Sequence, residues 1–227
     1  MALLLSIETS THSFSCALHR DGTLLSMEES VTVQSTASLL AVLIDKLFSD
    51  SKTEKKELSG VVVASGPGSY TGLRIGVATA KGICYALNIP LISVNTLYLL
   101  AYQVKKNSNS DSFLCPMLDA RRMEVYCTLF DPSLNVVEPT QALVVNEKSF
   151  ADQLDRNTIL FFGEGSDKCE SIIKHTNAQF ITGVRPSAAA LGEIGFHKFA
   201  TLEIEDLEHF EPFYLKDFVV KKPNSVS

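Results

Sequence analysis

Apolar and polar positions along the chain follow two rhythms, and the changes between them mark out the elements. Leu3-Leu4-Leu5-Ser6-Ile7-Glu8 is a nearly continuous apolar run, which predicts a buried strand. Ser13 to His19 alternates, with Phe14, Cys16 and Leu18 against Ser13, Ser15 and His19, and predicts a second strand. Asp21-Gly22 is a two-residue hairpin turn, and Thr23 to Val31 returns as a third strand. Ser35 to Phe48 predicts the first helix, but Leu39 to Ile44 is wholly apolar and Leu47 and Phe48 follow. A helix lying on a sheet needs only an apolar stripe, so this one is expected to be covered on two sides, by the sheet and by something else. Ser51 to Ser59 is a charged connector.

The stretch Gly60 to Leu87 organises the rest. Val61-Val62-Val63-Ala64 predicts a central strand, Ser65 to Tyr70 is a glycine-rich turn, and Thr71 begins a helix that ends near Asn88-Ile89-Pro90. A glycine turn between strand and helix can aim backbone N–H groups at an anion. The spacing fits neither GxxxxGK[ST] nor GxGxxG, since Thr71 stands where a third glycine would be, and a tight turn alone explains it equally well. Inside the helix Gly72, Gly76, Ala80 and Cys84 are spaced by four and share one narrow stripe. Each helix glycine costs about 1 kcal/mol relative to alanine. The stripe therefore predicts a close approach, either to the chain's own sheet or along a helix–helix seam within the chain or with a partner.

Beyond it, Leu91 to Val94 predicts a short buried strand and Asn95 or Thr96 caps a helix running to Lys106. Asn107 to Ser112 reads as a linker, dividing the chain into 1–107 and 108–227, with residues after about 187 packing back on the first part. Phe113–Leu118 and Glu124–Phe130 predict a strand pair joined at Asp119-Ala120-Arg121-Arg122. Further strands are expected at Ala142–Val145 and Ile159–Gly163, and helices at Glu147–Leu154, Ser166–His175 and Ser187–Thr201. Glu211 to Lys216 is apolar enough to dock, and Lys221 to Ser227 reads as a disordered tail.

Composition narrows the function classes. The 227 residues, 45% hydrophobic and 20% charged, can bury a sizeable core. No apolar run approaches membrane-spanning length and the amino terminus has no basic n-region, so a cytoplasmic, non-membrane protein is expected. Five cysteines with no CxxC pair read as buried, reduced thiols. A net charge of −6 argues against this chain gripping a phosphate backbone alone. The five histidines never fall four apart, so no metal site is expected. Ser65 and Ser69 have no nominated base and there is no GxSxG elbow, so no catalytic residue is assigned. Asp119, Arg121 and Glu124 form the densest polar group and read as structural ion pairing at a hairpin.

The residues SGPGSYTGLRIG at 65–76 resemble the signature of the TsaB (YeaZ-like) family, accessory proteins of bacterial tRNA threonylcarbamoyladenosine synthesis. LSIETSTHSFSCAL with RDG, IPLISVNTLYLLA, LDARRMEVY and EPFYLK agree in the same order, densest over residues 1 to 130. The resemblance implies a duplicated α/β fold of the actin/Hsp70/sugar-kinase (ASKHA) type, with a mixed sheet flanked by helices in each half. It implies a non-catalytic subunit that dimerises with the catalytic TsaD through its first two helices, here 35–48 and 71–87, with the TsaE ATPase as third member. Residues on those helices expected at the interface are Leu39, Leu40, Leu43, Leu47, Gly72, Gly76, Ala80 and Cys84. tRNA would be met only through the complex, a homodimer would form when TsaD is absent, and no cofactor is implied. Where the family often carries a His before the first helix, this chain has Ser35. The rival reading is an active ASKHA ATPase or small-molecule phosphotransferase, with Glu8, Thr9, Gly66, Gly68, Ser69 and Asp119 contacting a nucleotide or phosphate. In that superfamily the first turn usually carries Asp and glycines; here it is Glu8-Thr9-Ser10-Thr11.

Overall fold

The structure, a computed structural model, describes residues 1–31, 37–108 and 111–216. Ser35 and the tail 221–227 lie outside the described residues. Strands β1 (Leu3–Glu8), β2 (Ser13–Arg20), β3 (Thr23–Val31), β4 (Leu58–Gly66) and β5 (Leu91–Asn95) form one sheet in the order β3-β2-β1-β4-β5. Strands β6 (Phe113–Asp119), β7 (Glu124–Phe130), β8 (Val136–Val144), β9 (Ile159–Phe162) and β10 (Ala178–Ile181) form another in the order β8-β7-β6-β9-β10. In each, the first three strands form an antiparallel meander and the last two run parallel to the first. The two sheets thus share one topology, and the chain has the duplicated ASKHA-like fold.

Period-two alternation decides what β1 shows to each side. Leu3, Leu5 and Ile7 face the helices α1 (Ala37–Ser51) and α2 (Tyr70–Leu87), in a core with Leu40, Leu47, Val61, Val63, Val77 and Ala80. Leu4 faces the other way, into a core with Val62, Ile92, Leu191 and Ile194. Leu191 and Ile194 belong to α5 (Ala188–Ala200), so a helix from the second half of the chain covers the first sheet. Helix α3 (Thr96–Lys106) packs Leu97, Leu100 and Ala101 against Leu114, Phe130 and Phe162 of the second sheet. The cap expected at Asn95 is present, and two further helices are capped by serines. Ser69 Oγ accepts from Gly72 N at the start of α2, Asn95 Oδ1 from Leu97 N and Tyr98 N at α3, and Ser187 Oγ from Ala189 N at α5. Asn88 ends α2 in the left-handed conformation (φ 52°).

The second half departs from expectation in four places. Strand β8 begins at Val136 rather than Ala142, because Pro139 sits in an edge strand, where a missing N–H is tolerated. Residues 166–172 form turns, not a helix: Cys169 N and Ile172 N bond three residues back and Glu170 N and Ile173 N four back, without a regular ladder, and the segment follows β6 closely enough that Gly165 N donates to Met117 O. The expected helix 147–154 shrinks to one turn, α4 (Ala151–Leu154), while β10 was not foreseen. No helix among the described residues is long and apolar enough to cross a membrane.

Candidate functional site

Four loops and the C-terminal segment meet between the two sheets around a cleft of about 420 Å³. The β1–β2 turn contributes Ser10 and Thr11, the β4–α2 turn Gly68 and Ser69, and the β6–β7 hairpin Asp119 and Arg121; Glu164 follows β9. Phe213 to Lys216 strap the mouth. Phe213 N donates to Ser65 O (2.7 Å), Arg74 Nε donates to the Tyr214 hydroxyl (3.3 Å), and Lys216 pairs with Glu124 on the opposite sheet. The Tyr70 and Tyr214 rings lie 4.8 Å apart, with the Arg74 guanidinium 4.1 Å from the Tyr70 ring centre. The segment expected to dock therefore ties the two halves together.

Of the six expected nucleotide or phosphate contacts, Gly68, Ser69 and Asp119 line this cleft, while Gly66, Glu8 and Thr9 do not. Glu8 and Thr9 are fully buried. Glu8 Oε1 accepts from Ser10 N (2.8 Å) and from the Ser10 hydroxyl, which is the turn chemistry that Ser and Thr provide. Its Oε2 has no partner among the described residues. Burial pushes the Glu8 carboxyl up to about 7, the Ser10 bonds oppose this, and Glu164 and Glu29 add to it. A carboxyl so placed is poorly suited to gripping a metal–nucleotide. Asp119, by contrast, is exposed and paired with Lys168.

The small-residue stripe is explained within the chain. A Cβ on Gly72 would lie 2.0 Å from Thr9 O, and one on Gly76 would lie 2.2 Å from Thr9 Oγ1, so the β1–β2 turn sits directly on α2. Ala80 and Cys84 continue the stripe into the core, and Leu40, Leu43 and Leu47 of α1 are buried there too, with Leu39 half-buried against it. Within the single chain, the expected interface residues other than half-buried Leu39 are covered by its own sheet and turn. The rows that the two helices leave outside are different ones. Ala41 and Val42 on α1, and Arg74, Ala78, Gly82 and Tyr85 on α2, are exposed, with Tyr85 84% exposed. Nothing lies within 4 Å of where a Gly82 Cβ would be. Gly82 is the signal the stripe argument passed over: a third helix glycine, off the stripe.

Little else gathers chemistry. A second cavity of about 640 Å³, walled by Tyr98, Tyr102, Phe130 and Ile194, collects none of the expected site residues. No group of three or more His, Cys, Asp or Glu that could hold a metal ion occurs among the described residues. All five cysteines are free and buried; burial pushes Cys16 up to about 12 and Cys84 and Cys169 up to about 11, so none of these three is a thiolate at neutral pH.

Comparison with known proteins agrees over most of the length. The sequence model of a family described as "TsaD: tRNA N6-adenosine threonylcarbamoyltransferase" matches residues 30–221. The chain is similar to the Bacillus subtilis (strain 168) "tRNA threonylcarbamoyladenosine biosynthesis protein TsaB", at 32% identity over 75% of each chain. It is similar to the Escherichia coli (strain K12) protein of the same description, at 28% identity over 96% of each. A Pseudomonas aeruginosa crystal structure described as an uncharacterized protein with similarity to peptidase YEAZ superimposes with a TM-score of 0.84 at 22% identity, covering 95% of this chain and 100% of that one.

Proposed function

The chain belongs to the TsaB (YeaZ-like) family, and from that premise we propose that it serves in making tRNA threonylcarbamoyladenosine as the non-catalytic partner of a TsaD-type transferase. The pathway is the one its relatives' descriptions name; the role within it is our reading. The observation that carries it is the outer face of α1 and α2, where Ala41, Val42, Ala78, Gly82 and Tyr85 present small and apolar groups to solvent. Ala78 and Gly82 lie one turn apart and let another backbone approach closely, and Tyr85 is an anchor of the kind that dominates protein interfaces. The chain would supply binding energy and a fixed geometry to the complex, not a reacting side chain. A TsaE-type ATPase would join as third member, tRNA would be held through the assembly, and the location would be cytoplasmic. A homodimer through the same face would form when the TsaD-type protein is absent.

The test is co-purification with the TsaD of the same organism, comparing wild type with Gly82→Arg. The substitution has open space in the monomer and improves helix propensity, so the chain stays folded. Wild type should form a stable complex and Gly82→Arg should weaken it by roughly a hundredfold, the size of a hot-spot loss. Complex formation that ignores Gly82→Arg would place the interface elsewhere, and no complex at all would reject the partner role.

A second reading, an active ATPase or phosphotransferase, is favoured by one observation: the cleft between the halves, with Ser69 at a helix start and Asp119 opposite. A rise in thermal midpoint of the isolated chain on adding Mg-ATP would support it.

A further inference from the structure

We propose that the tip of the β6–β7 hairpin is an RNA-backbone contact, in which Arg121 and Arg122 bind phosphodiester groups of the tRNA held by the assembled complex. The identity of the RNA rests on the reading above; the contact rests on the hairpin itself.

Both arginines adopt the left-handed conformation, at φ 70° and 48°. That region is uncommon for any residue with a side chain, and tight hairpin tips that need it are usually built from Asn, Asp and Gly. Here two long cationic side chains occupy it, and the surrounding structure holds them there. Arg121 N donates to Asp119 Oδ1 (3.0 Å) and Glu124 N donates to Arg121 O (3.2 Å). Lys168 Nζ, reaching across from the segment after β9, donates to the carbonyls of Arg122 and Glu124 (both 2.7 Å) and to Asp119. The lysine grips the hairpin's backbone, so the guanidiniums are not needed to hold it.

Both acids of the hairpin itself are already paired, while Glu164, across the cleft, is among the described residues the one other carboxylate that lines it with Arg121 and Asp119. Asp119 pairs with Lys168, and Glu124 pairs with Lys216 from the C-terminal strap. Both arginines are exposed, and among the described residues neither guanidinium has a hydrogen-bond or ion-pair partner. Two adjacent planar cations on a hairpin whose own carboxylates are already paired suit the tetrahedral anions of a phosphate backbone, which guanidinium binds with two parallel N–H donors. Location supports this. Arg121 lines the cleft opposite Ser69 and Tyr70, where α2 begins, so the tip stands beside the helix whose outer face we assign to the partner. The net charge of −6 confines any RNA contact of this chain to such a local point, within an assembly that supplies the remaining affinity.

The experiment measures binding of fluorescein-labelled tRNA by anisotropy, using the complex of the full chain with its organism's TsaD, over a salt series. Arg121→Gln/Arg122→Gln is compared with Arg156→Gln/Arg185→Gln, which removes the same charge from two other exposed positions. The tip variant should assemble with TsaD as wild type does, bind tRNA roughly fivefold to tenfold more weakly, and lower the slope of log K against log salt by about 1 to 2. The control pair should match wild type. Arg122→Asn separates function from structure: it should keep or raise the thermal midpoint, because Asn tolerates the left-handed backbone, while still weakening tRNA binding. Unchanged tRNA affinity in the tip variant, or an equal loss in the control, overturns the proposal. A lowered midpoint with unchanged tRNA affinity overturns it too, by making the arginines structural. Weakened assembly with unchanged tRNA binding reassigns them to a protein contact and also overturns it. Should wild type form no complex with TsaD, the partner reading fails by itself. The hairpin is then judged on the isolated full chain at low salt, where tRNA binding that depends on the tip keeps the proposal, and binding independent of it, or none, rejects it.

Discussion

The β1–β2 turn and the β6–β7 hairpin occupy the same place in the two halves, and the chain has furnished them in opposite ways. Each joins the first two strands of its sheet through four residues, and each is entered from a carboxylate, Glu8 or Asp119. In both, that carboxylate accepts the backbone N–H two residues on, from Ser10 or Arg121. There the likeness ends. Glu8 is fully buried on the α5 side of the first sheet, its carboxyl driven towards the neutral form by burial, while Gly72 and Gly76 of α2 close on Thr9 beside it. Asp119 stays 53% exposed, ionically paired with Lys168, below a tip that points two arginines at solvent. One turn has become a joint inside the fold, and the other a surface device. The difference follows from what covers each. The first half has an 18-residue helix, α2, after β4 and over its turn, whereas the same place after β9 in the second half holds only turns over residues 164–172.

The sealed turn is the more sensitive of the two to substitution. Gly76→Val would push a branched side chain into Thr9 and should cost about 3 kcal/mol or more in urea unfolding of the isolated chain. A wild-type unfolding midpoint would mean that the turn does not depend on this contact. Next comes Glu8→Gln, read against pH. With the folded carboxyl near 7 and the unfolded one near 4.5, the folded state holds its proton while the unfolded state loses it. This group's contribution is therefore full below about pH 4.5, declines as pH rises towards 7 and is flat above that. Glu8→Gln should match wild type near pH 4.5 and exceed it by on the order of 2–3 kcal/mol at pH 8. Parallel stability curves for the two proteins would contradict the sealed-acid account.

At the open turn the expected effects are smaller. Lys168→Ala removes the clamp from a partly exposed hairpin and should cost about 1 kcal/mol, with faster amide exchange at Arg121 to Glu124. Unchanged exchange there would show that the hairpin holds itself. The smallest change is Gly82→Ala, on the same helix as Gly76 but facing outward. It should raise stability by about 0.5–1 kcal/mol, since its Cβ meets nothing. A loss instead of a gain would mean that Gly76 and Gly82 do not face opposite surroundings.

Legibility in the sequence followed the same division between the halves. Strands β1, β2, β3, β6 and β7 and helices α2, α3 and α5 could be read because buried two-sided strands and capped amphipathic helices leave strong periodic signals. Residues 136–181 were read poorly. There an edge strand carries a proline, and buried Cys169 and Ile173 sit on a chain of turns with mixed three-back and four-back bonds, tied to β6 through Gly165 N to Met117 O. In the candidate site, the glycine loop, Asp119 and the docking segment 211–216 were visible beforehand. The sealing of Glu8 was not, because a Glu at a strand end looks the same whether a helix covers it or water does.

The sequence alone determined the duplicated α/β pattern, the Asn95 cap, the glycine stripe's need for a close neighbour and the family. Local periodicity and residue chemistry suffice for those. Which neighbour the stripe receives was decided only in three dimensions. Spacing by four specifies a face, but not whether a sheet, a turn or another protein lies against it. The tertiary structure placed Thr9 on Gly72 and Gly76, and thereby turned Gly82 and Tyr85 outward on the same helix. Long-range packing also decided that one of two equivalent turns would be closed and the other left free to meet a ligand.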